Sequence, residues 1–254
     1  MRTVMTAVFF VALAAACNDN DDPPSGDDTL TFSYDFRDGE QGWQADYSDY
    51  SVGMEQSLAF RSELEALPEE LERDGTGFYF HSRNVSDDIF MFLKRRLGPD
   101  DGIVANTSYA LSYRILFASN AASGCVGIGG APGESVFMKA GATDEEPEAV
   151  LVEDDGLEQI RMSVDKGNQR QDGPAASFVG DVANPIPCEE VNGLDDAPYV
   201  AIEREHVHDH SVTSTEDAEL WLLVGTDSGF EGVNTLYYLE IDVRLEPIDA
   251  SAGD

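Results

Sequence analysis

The sequence predicts an all-β protein in which short antiparallel strands form a sandwich or a barrel. From residue 29 to residue 248, short runs of branched and aromatic residues alternate with clusters of Gly, Pro, Asn and Asp. No stretch of this region keeps an apolar helical repeat over several turns. Eleven or twelve such runs without a helix between them argue against a parallel sheet, because parallel strands need long crossover connections.

The clearest strands lie near both ends of this region and at its centre. Residues 29–36 (TLTFSYDF) place an apolar side chain at every second position, as a half-buried strand does. Residues 108–118 and 234–247 are long and rich in aromatic and branched residues, and residues 89–97 begin apolar on both faces, like a central strand. Residues 62–73 carry leucines at helical spacing, but a proline interrupts them, so we expect only a short helical turn.

The charge balance limits the possible partners. Fifty Asp and Glu residues face fifteen Lys and Arg residues, which gives a formal net charge of −35. Such a surface repels phosphate, so we expect no nucleic-acid partner. The acids are spread along the chain, which is typical of solubility in a salty medium and identifies no single cation site.

The first 16 residues have the pattern of a secretory signal peptide, with one early base and an apolar run too short to cross a bilayer. Residues 14–17 (AAAC) resemble the lipobox of bacterial lipoproteins, which implies that Cys17 is lipidated and becomes the mature N-terminus. The resemblance also implies export to a bacterial cell envelope, with a lipid anchor in the outer membrane or at the cell surface. An ordinary signal peptide with an incidental cysteine is the alternative.

The remaining organisation is simple. Residues 17–28 are acidic and contain no apolar residue after the cysteine, so we expect a disordered tether. Residues 29–248 should form one β domain, and residues 249–254 a disordered tail. Cys125 and Cys188 are the only cysteines after the tether, and in an exported protein such a pair indicates a disulfide. Two free buried thiols are the alternative.

Three segments resemble carbohydrate-binding modules of the galactose-binding-like type. They are the opening strand and turn YDFRDGEQGW (34–43), the central strand ANTSYALSYRI (105–115) and the closing strand LYYLEIDVRLEP (236–247). The resemblance implies a single antiparallel β-sandwich of the jelly-roll type with long loops, in which the first and last strands pair. Other segments are similar to uncharacterised secreted bacterial proteins.

The same resemblance implies a structural calcium ion. Its ligands would be Asp35 or Asp38 near the first strand and Glu240 or Asp242 on the last strand, together with loop carbonyls. A second candidate for calcium is the loop 226–232 (TDSGFEG), in which Asp227 and Glu231 flank a tight backbone turn. A simple turn between two strands is the alternative reading of that loop.

A polar loop is the candidate for ligand contact. Residues 165–173 contain Lys166, Asn168, Gln169 and Arg170, whose amide and cationic groups can hydrogen-bond sugar hydroxyls. A sugar site also needs an aromatic platform, and the candidates are Trp43 and Tyr47, with Tyr50 nearby. The alternative is that Trp43 belongs to the core and that the loop is only solvated.

Three histidines alternate in EREHVHDH, residues 203–210. On a strand, His206, His208 and His210 would share one face, but the outer pair would be about 13 Å apart, too far for one zinc ion. A zinc site would therefore use two neighbours, such as His206 and His208, with His81 or a carboxylate from elsewhere. A polar strand end facing water is the alternative, and we expect no catalytic role for these histidines.

Together these features predict a surface-anchored lipoprotein whose sandwich binds an extracellular or envelope ligand, a glycan, as a monomer and without catalysis. A metal-dependent hydrolase or lyase that uses the histidines is one alternative. A purely structural or adhesive envelope protein is another. Apart from a structural Ca²⁺ ion, we expect no cofactor, because the sequence contains no GxSxG, HExxH, CxxC or nucleotide-binding motif.

Overall fold

Two antiparallel sheets packed face to face form the core of the protein, so the all-β sandwich prediction is confirmed. The computed structural model describes residues 29–85, 88–154, 156–194 and 197–248. The predicted signal peptide, the lipidated Cys17, the acidic tether and the C-terminal tail lie outside these residues.

The strands in chain order are β1 (Leu30–Asp35), β2 (Gln44–Ser48), β3 (Tyr50–Ser51), β4 (Arg61–Ala66), β5 (Thr76–Arg83), β6 (Phe90–Leu97), β7 (Ser108–Ser119), β8 (Ala122–Ser123), β9 (Val136–Thr143), β10 (Ala149–Asp154), β11 (Leu157–Met162), β12 (Ser177–Asp181), β13 (Asn184–Pro187), β14 (Val200–Val207), β15 (Val212–Thr213), β16 (Leu220–Ser228) and β17 (Val233–Pro247). Helix α1 spans Glu55–Leu58, and 3₁₀ turns span Phe36–Asp38, Glu69–Leu71, Pro99–Asp101 and Cys188–Glu190.

The strand order shows how the chain crosses between the layers. The seven-stranded sheet has the order β14-β7-β17-β5-β4, with β1 pairing β17 and β15 pairing β7. The five-stranded sheet has the order β12-β9-β16-β6-β2. Consecutive long strands repeatedly change sheet, as in a jelly roll, and the first strand pairs with the last, as the resemblance implies. The main core cluster takes side chains from the inner faces of both sheets.

The segment 62–73 departs from its predicted structure. A helical turn forms only at Glu69–Leu71, while the preceding residues form strand β4. In this strand Leu64 packs against the core, and Leu67 and Leu71 pack beyond the strand on the outer face of the seven-stranded sheet. The leucines therefore have helical spacing in the sequence but pack in two different places, Leu64 in the core and the other two on the outer face.

A cover segment, residues 163–176, lies on the outer face of the five-stranded sheet. A Cβ added to Gly141 in β9 would lie 2.4 Å from the carbonyl oxygen of Ala175, so glycine permits this close approach. Lys139 in β9 is fully buried under the segment, and its Nζ donates to the carbonyls of Gln169 at 3.1 Å and Gln171 at 2.6 Å. Burial lowers the pKa of Lys139 to about 8.

The Cys125–Cys188 disulfide is present, with a Cα–Cα distance of 5.0 Å, so this prediction is confirmed. It joins the loop after β8 to the 3₁₀ turn after β13, and a small apolar cluster surrounds it.

No helix in the described part of the chain is long and apolar enough to cross a membrane.

Candidate functional site

An open groove crosses the outer face of the seven-stranded sheet and has a volume of about 280 Å³. Two rows of outward-facing side chains form it, because residues directly opposite each other on paired strands share a face. One row runs Glu205, Arg114, Asp242 and Ser33, and the other runs Val207, Ser112, Arg244 and Thr31. We call this surface the Arg114 groove.

Arg114 is held in place by three carboxylates. Its Nε donates to Glu203 at 2.7 Å, and its Nη1 donates to Asp242 at 2.7 Å and to Glu240 at 3.2 Å. Ser33 donates to the other oxygen of Asp242 at 2.5 Å. The groove therefore presents planar donors and acceptors whose positions are fixed before any ligand binds, which lowers the entropy cost of binding.

The depression itself comes from a small side chain on a central strand. In β7 the inward residues Leu111 and Tyr113 are buried in the core, whereas the outward residue between them is Ser112. The residues opposite Ser112 on the two neighbouring strands, Val207 and Arg244, have larger side chains and form the sides of the depression. Neither Ser112 nor Arg114 was among the site residues predicted from the sequence, although a small outward residue within a long strand indicates a depression.

Three of the four carboxylates predicted to bind calcium on the first and last strands are paired with arginines. Asp35 accepts hydrogen bonds from Arg37, which lowers the pKa of Asp35, and Asp38 is exposed. Glu240 is paired with Arg73 at 2.7 Å and with Arg114, which also holds Asp242. Within residues 29–85, 88–154, 156–194 and 197–248, no three His, Cys, Asp or Glu side chains are grouped to hold a metal ion.

The predicted aromatic platform does not form. Trp43 is only 1% exposed and packs edge-on against Tyr34 in the core, so it offers no face to a sugar. Tyr47 is stacked on Tyr50 at 4.9 Å and on Phe60 at 4.3 Å between ring centroids. Two rings this close cannot share one face of Tyr47, so both of its faces are covered.

The predicted ligand loop is part of the cover segment, and its side chains point to different surroundings. Asn168 is exposed and available to a ligand. Arg170 stacks over Phe137 and Phe178, 5.3 and 5.6 Å from their ring centroids. The side chain of Lys166 is buried and reaches Asp227 of β16.

Lys166 and Asp227, which were predicted to lie in a sugar-binding loop and a calcium loop, form a buried ion pair. Lys166 Nζ lies 2.7 Å from Asp227 and 3.2 Å from Asp49. Gln169 donates its backbone N–H to the same Asp227 oxygen at 2.8 Å, whereas Asp227 Oδ1 is buried without a hydrogen bond. Burial opposes the charge on Lys166, but the two carboxylates outweigh it and raise the pKa of Lys166. Glu231 lies apart in the following loop, where its backbone bridges to Ile128.

Two further residues extend this cluster towards solvent. Arg161 donates to Asp88 at 2.5 Å and lies 3.6 Å from Asp49. Burial raises the pKa of Asp88, and the hydrogen bond from Arg161 opposes that shift. Asp49, Arg161 and Lys166 line a surface cavity of about 380 Å³. We call Lys166, Asp49, Asp227, Arg161 and Asp88 the Lys166 cluster.

His206 and His208 contact a serine and do not converge on His81. His208 Nε2 lies 3.1 Å from the Pro174 carbonyl, which can only accept a hydrogen bond, so His208 Nδ1 accepts from Ser177 Oγ at 2.8 Å. His206 Nε2 then donates to the same Ser177 oxygen at 2.7 Å. This chain ties β14 of one sheet to β12 of the other. His81 lies on β5, opposite Arg61 and Thr235.

The histidine chain makes the stability of the protein dependent on pH. Burial lowers the pKa values of His206 and His208 below 6.5. Asp209 and Asp172 offset the shift only in part at His206, and the Pro174 carbonyl and Asp209 do so at His208. Below pH 6.5 the unfolded chain therefore binds protons that the folded chain resists, and the free energy of unfolding should fall as pH decreases. Urea unfolding at pH 7.5 and pH 5.5 measures this loss.

The variant His206→Gln/His208→Gln should lose less stability over the same pH interval than the unmodified protein. His210→Gln is the control: His210 is exposed and touches His208 only through a ring edge, so this variant should change the loss far less than the double variant does. Equal losses in the double variant and the unmodified protein would contradict this role for the histidine chain.

No protein-family model matches the chain, and no curated protein matches it in sequence. Several solved structures resemble it. A structure of carbohydrate-binding modules from the β-sandwich superfamily is 12% identical over 85% of this chain, with a TM-score of 0.33, and the chain spans 61% of that structure. The module CBM27-1 from Caldicellulosiruptor saccharolyticus in complex with mannohexaose is 12% identical over 87% of this chain and 98% of the module, with a TM-score of 0.36.

An arabinose-bound α-L-arabinofuranosidase is 8% identical over 81% of this chain and 23% of the enzyme, with a TM-score of 0.38. At these identities and at TM-scores below 0.5, the similarities carry no argument about ligand or activity.

Proposed function

We propose that the protein binds a glycan in the Arg114 groove without catalysing a reaction. The observation that carries this proposal is the fixed array of Arg114 and its three carboxylates beside an open groove on a sheet. Sugar hydroxyls both donate and accept hydrogen bonds, so they match an array of guanidinium donors and carboxylate acceptors. The aliphatic side chain of Val207, which is 68% exposed, adds an apolar contact for the carbon face of a sugar ring.

The histidines give less support to an enzyme. In the described ranges they form no metal-binding group with acidic residues, and His208 is hydrogen-bonded on both ring nitrogens. A structural or adhesive role without a small ligand is the outcome expected if no glycan binds.

Filling the groove should abolish glycan binding. Ser112→Tyr places a ring over the floor of the groove, at a half-buried, outward-facing strand position that tolerates aromatic residues. We expect a glycan array and calorimetry on the full chain to find a bound glycan whose affinity falls at least about tenfold in this variant, a loss of about 1.4 kcal/mol. Glu153→Tyr, at an exposed position of β10, is the control and should bind like the unmodified protein.

Equal binding by Ser112→Tyr would place the glycan elsewhere on the protein, and an array without any bound glycan would reject the proposed function.

We further propose that the protein is an exported lipoprotein anchored through Cys17. The support is the apolar leader, the AAAC stretch at residues 14–17 and the acidic tether that follows. Mass spectrometry of the membrane fraction should find a diacylglyceryl group on Cys17 at the mature N-terminus. Cys17→Ala should release the protein from the membrane fraction, and a variant that stays bound would argue against the anchor.

A further inference from the structure

We propose that the Arg114 groove selects oligosaccharides that carry protonated amino groups, and that Glu205 binds the amine. This inference rests on the proposed function and names the chemical class of its ligand. Three observations support it: Glu205 has no basic partner among the described residues, the charges around the groove are mostly negative, and the guanidinium of Arg114 is already bound by carboxylates.

Glu205 is the unpaired acid of the groove. It lies on β14 directly opposite Arg114, and its side chain is exposed. Arg114 does not turn towards it, because its guanidinium is drawn to Glu203, Glu240 and Asp242. Among the described residues Glu205 has neither a hydrogen bond nor an ion pair from its side chain, so its carboxylate is free to bind a ligand in the groove.

The charges around the groove favour a cation. Within the described part of the chain, the four carboxylates of Glu203, Glu205, Glu240 and Asp242 form ion pairs only with Arg114 and Arg73. Arg244 on the opposite side is 3.7 Å from Glu246, which neutralises it. The whole chain adds to this potential with its net charge of −35.

An anionic sugar finds the central cation of the groove, Arg114, already engaged. Each of the three guanidinium nitrogens of Arg114 already faces a carboxylate, so a uronate would have to displace one of them to bind Arg114 through two parallel hydrogen bonds. A protonated amine carries three N–H donors and can bind Glu205 while it also donates to hydroxyls of its own oligosaccharide or to water. A neutral sugar makes the same hydroxyl contacts but lacks this ion pair.

The test compares three oligosaccharides of equal length on the full chain: a deacetylated chito-oligosaccharide, its N-acetylated form and an oligogalacturonate. We expect the amine form to bind tightest and the uronate weakest in calorimetry near pH 6. Glu205→Gln should weaken binding of the amine form by about two- to fivefold, the range of an exposed ion pair, and should leave binding of the N-acetylated form unchanged. Added salt should reduce the preference in the same way.

Glu153→Gln is the matched control, because it removes one exposed carboxylate far from the groove. Loss of the preference in Glu205→Gln but not in Glu153→Gln supports the inference. If all three ligands bind equally, or if both variants change equally, the inference is overturned while the proposed function stands. If none of these ligands and no glycan on the array binds, the proposed function fails and the inference fails with it.

Discussion

Replacing Lys166 by methionine should lower the free energy of unfolding by about 3–5 kcal/mol, because it leaves buried carboxylates without their counterion. Among the described residues, Asp227 is fully buried and would keep only the backbone N–H of Gln169. Asp49 would keep the hydroxyl of Ser48 at 3.2 Å and, as a cation, only the more distant Arg161. Methionine fills nearly the same volume, so the loss reports the charge and not a cavity. Urea unfolding followed by tryptophan fluorescence measures this change.

Two further variants separate the buried pair from ordinary charge effects. Lys166→Met/Asp227→Leu removes both charges and should recover part of the loss, since an apolar pair in place of a buried ion pair is often well tolerated. Arg61→Met is the exposed control, because Arg61 pairs with Glu63 and Glu65 at the surface and should change stability far less. A loss in Lys166→Met no larger than in Arg61→Met would mean that the Lys166 cluster does not hold the cover segment on the sheet.

Strained backbone marks the same cluster. Asp49 and Gln169 adopt left-handed conformations with φ of 64° and 52°, which are unfavourable for residues other than glycine. Asp49 directs its carboxylate, and Gln169 its backbone N–H, towards the Lys166–Asp227 pair. The ion pair therefore offsets the cost of this strained backbone. Without the ion pair, the cover segment should unfold locally at a lower free energy than the rest of the sandwich.

The fold could be predicted because its signals are local. Alternation of apolar residues, as in β1, depends only on neighbouring positions and on burial of one face. Residues 62–66 misled the prediction, because leucines on a strand and on the turn after it happened to have helical spacing. The pairing of β1 with β17 came from the resemblance and not from any local pattern.

The candidate site could not be predicted in the same way. The row Glu205, Arg114, Asp242 and Ser33 depends on the register of four strands that are far apart in the chain, and single-sequence patterns do not determine register. The aromatic residues were misleading for a related reason. A tryptophan such as Trp43 looks the same in the sequence whether it packs in the core or forms a binding platform, and only the fold shows that it is buried. Lys166 and Asp227 were each recognised as polar loop residues, but only the fold shows that they meet.

Loss of the Cys125–Cys188 disulfide is the second large effect. The bond closes a loop with a sequence separation of 63 residues, and restriction of the unfolded chain over this length contributes about 4 kcal/mol. Cys125→Ala/Cys188→Ala should therefore unfold at markedly lower urea concentration than the unmodified protein. Its surroundings are small apolar residues, such as Ala122 and Ala197, so alanine introduces no buried polar group.

Reductant provides the matched control, because it removes the bond without changing the sequence. Dithiothreitol should lower the stability of the unmodified protein to that of the double alanine variant and should leave the variant unchanged. Alkylation of the folded full chain without reductant should label at most one thiol, that of Cys17. If Cys125 and Cys188 were also labelled, the bond would not form in solution. If the bond formed but its loss cost less than about 1 kcal/mol, the unfolded chain would already hold these loops together, since the stabilisation comes from restricting that state.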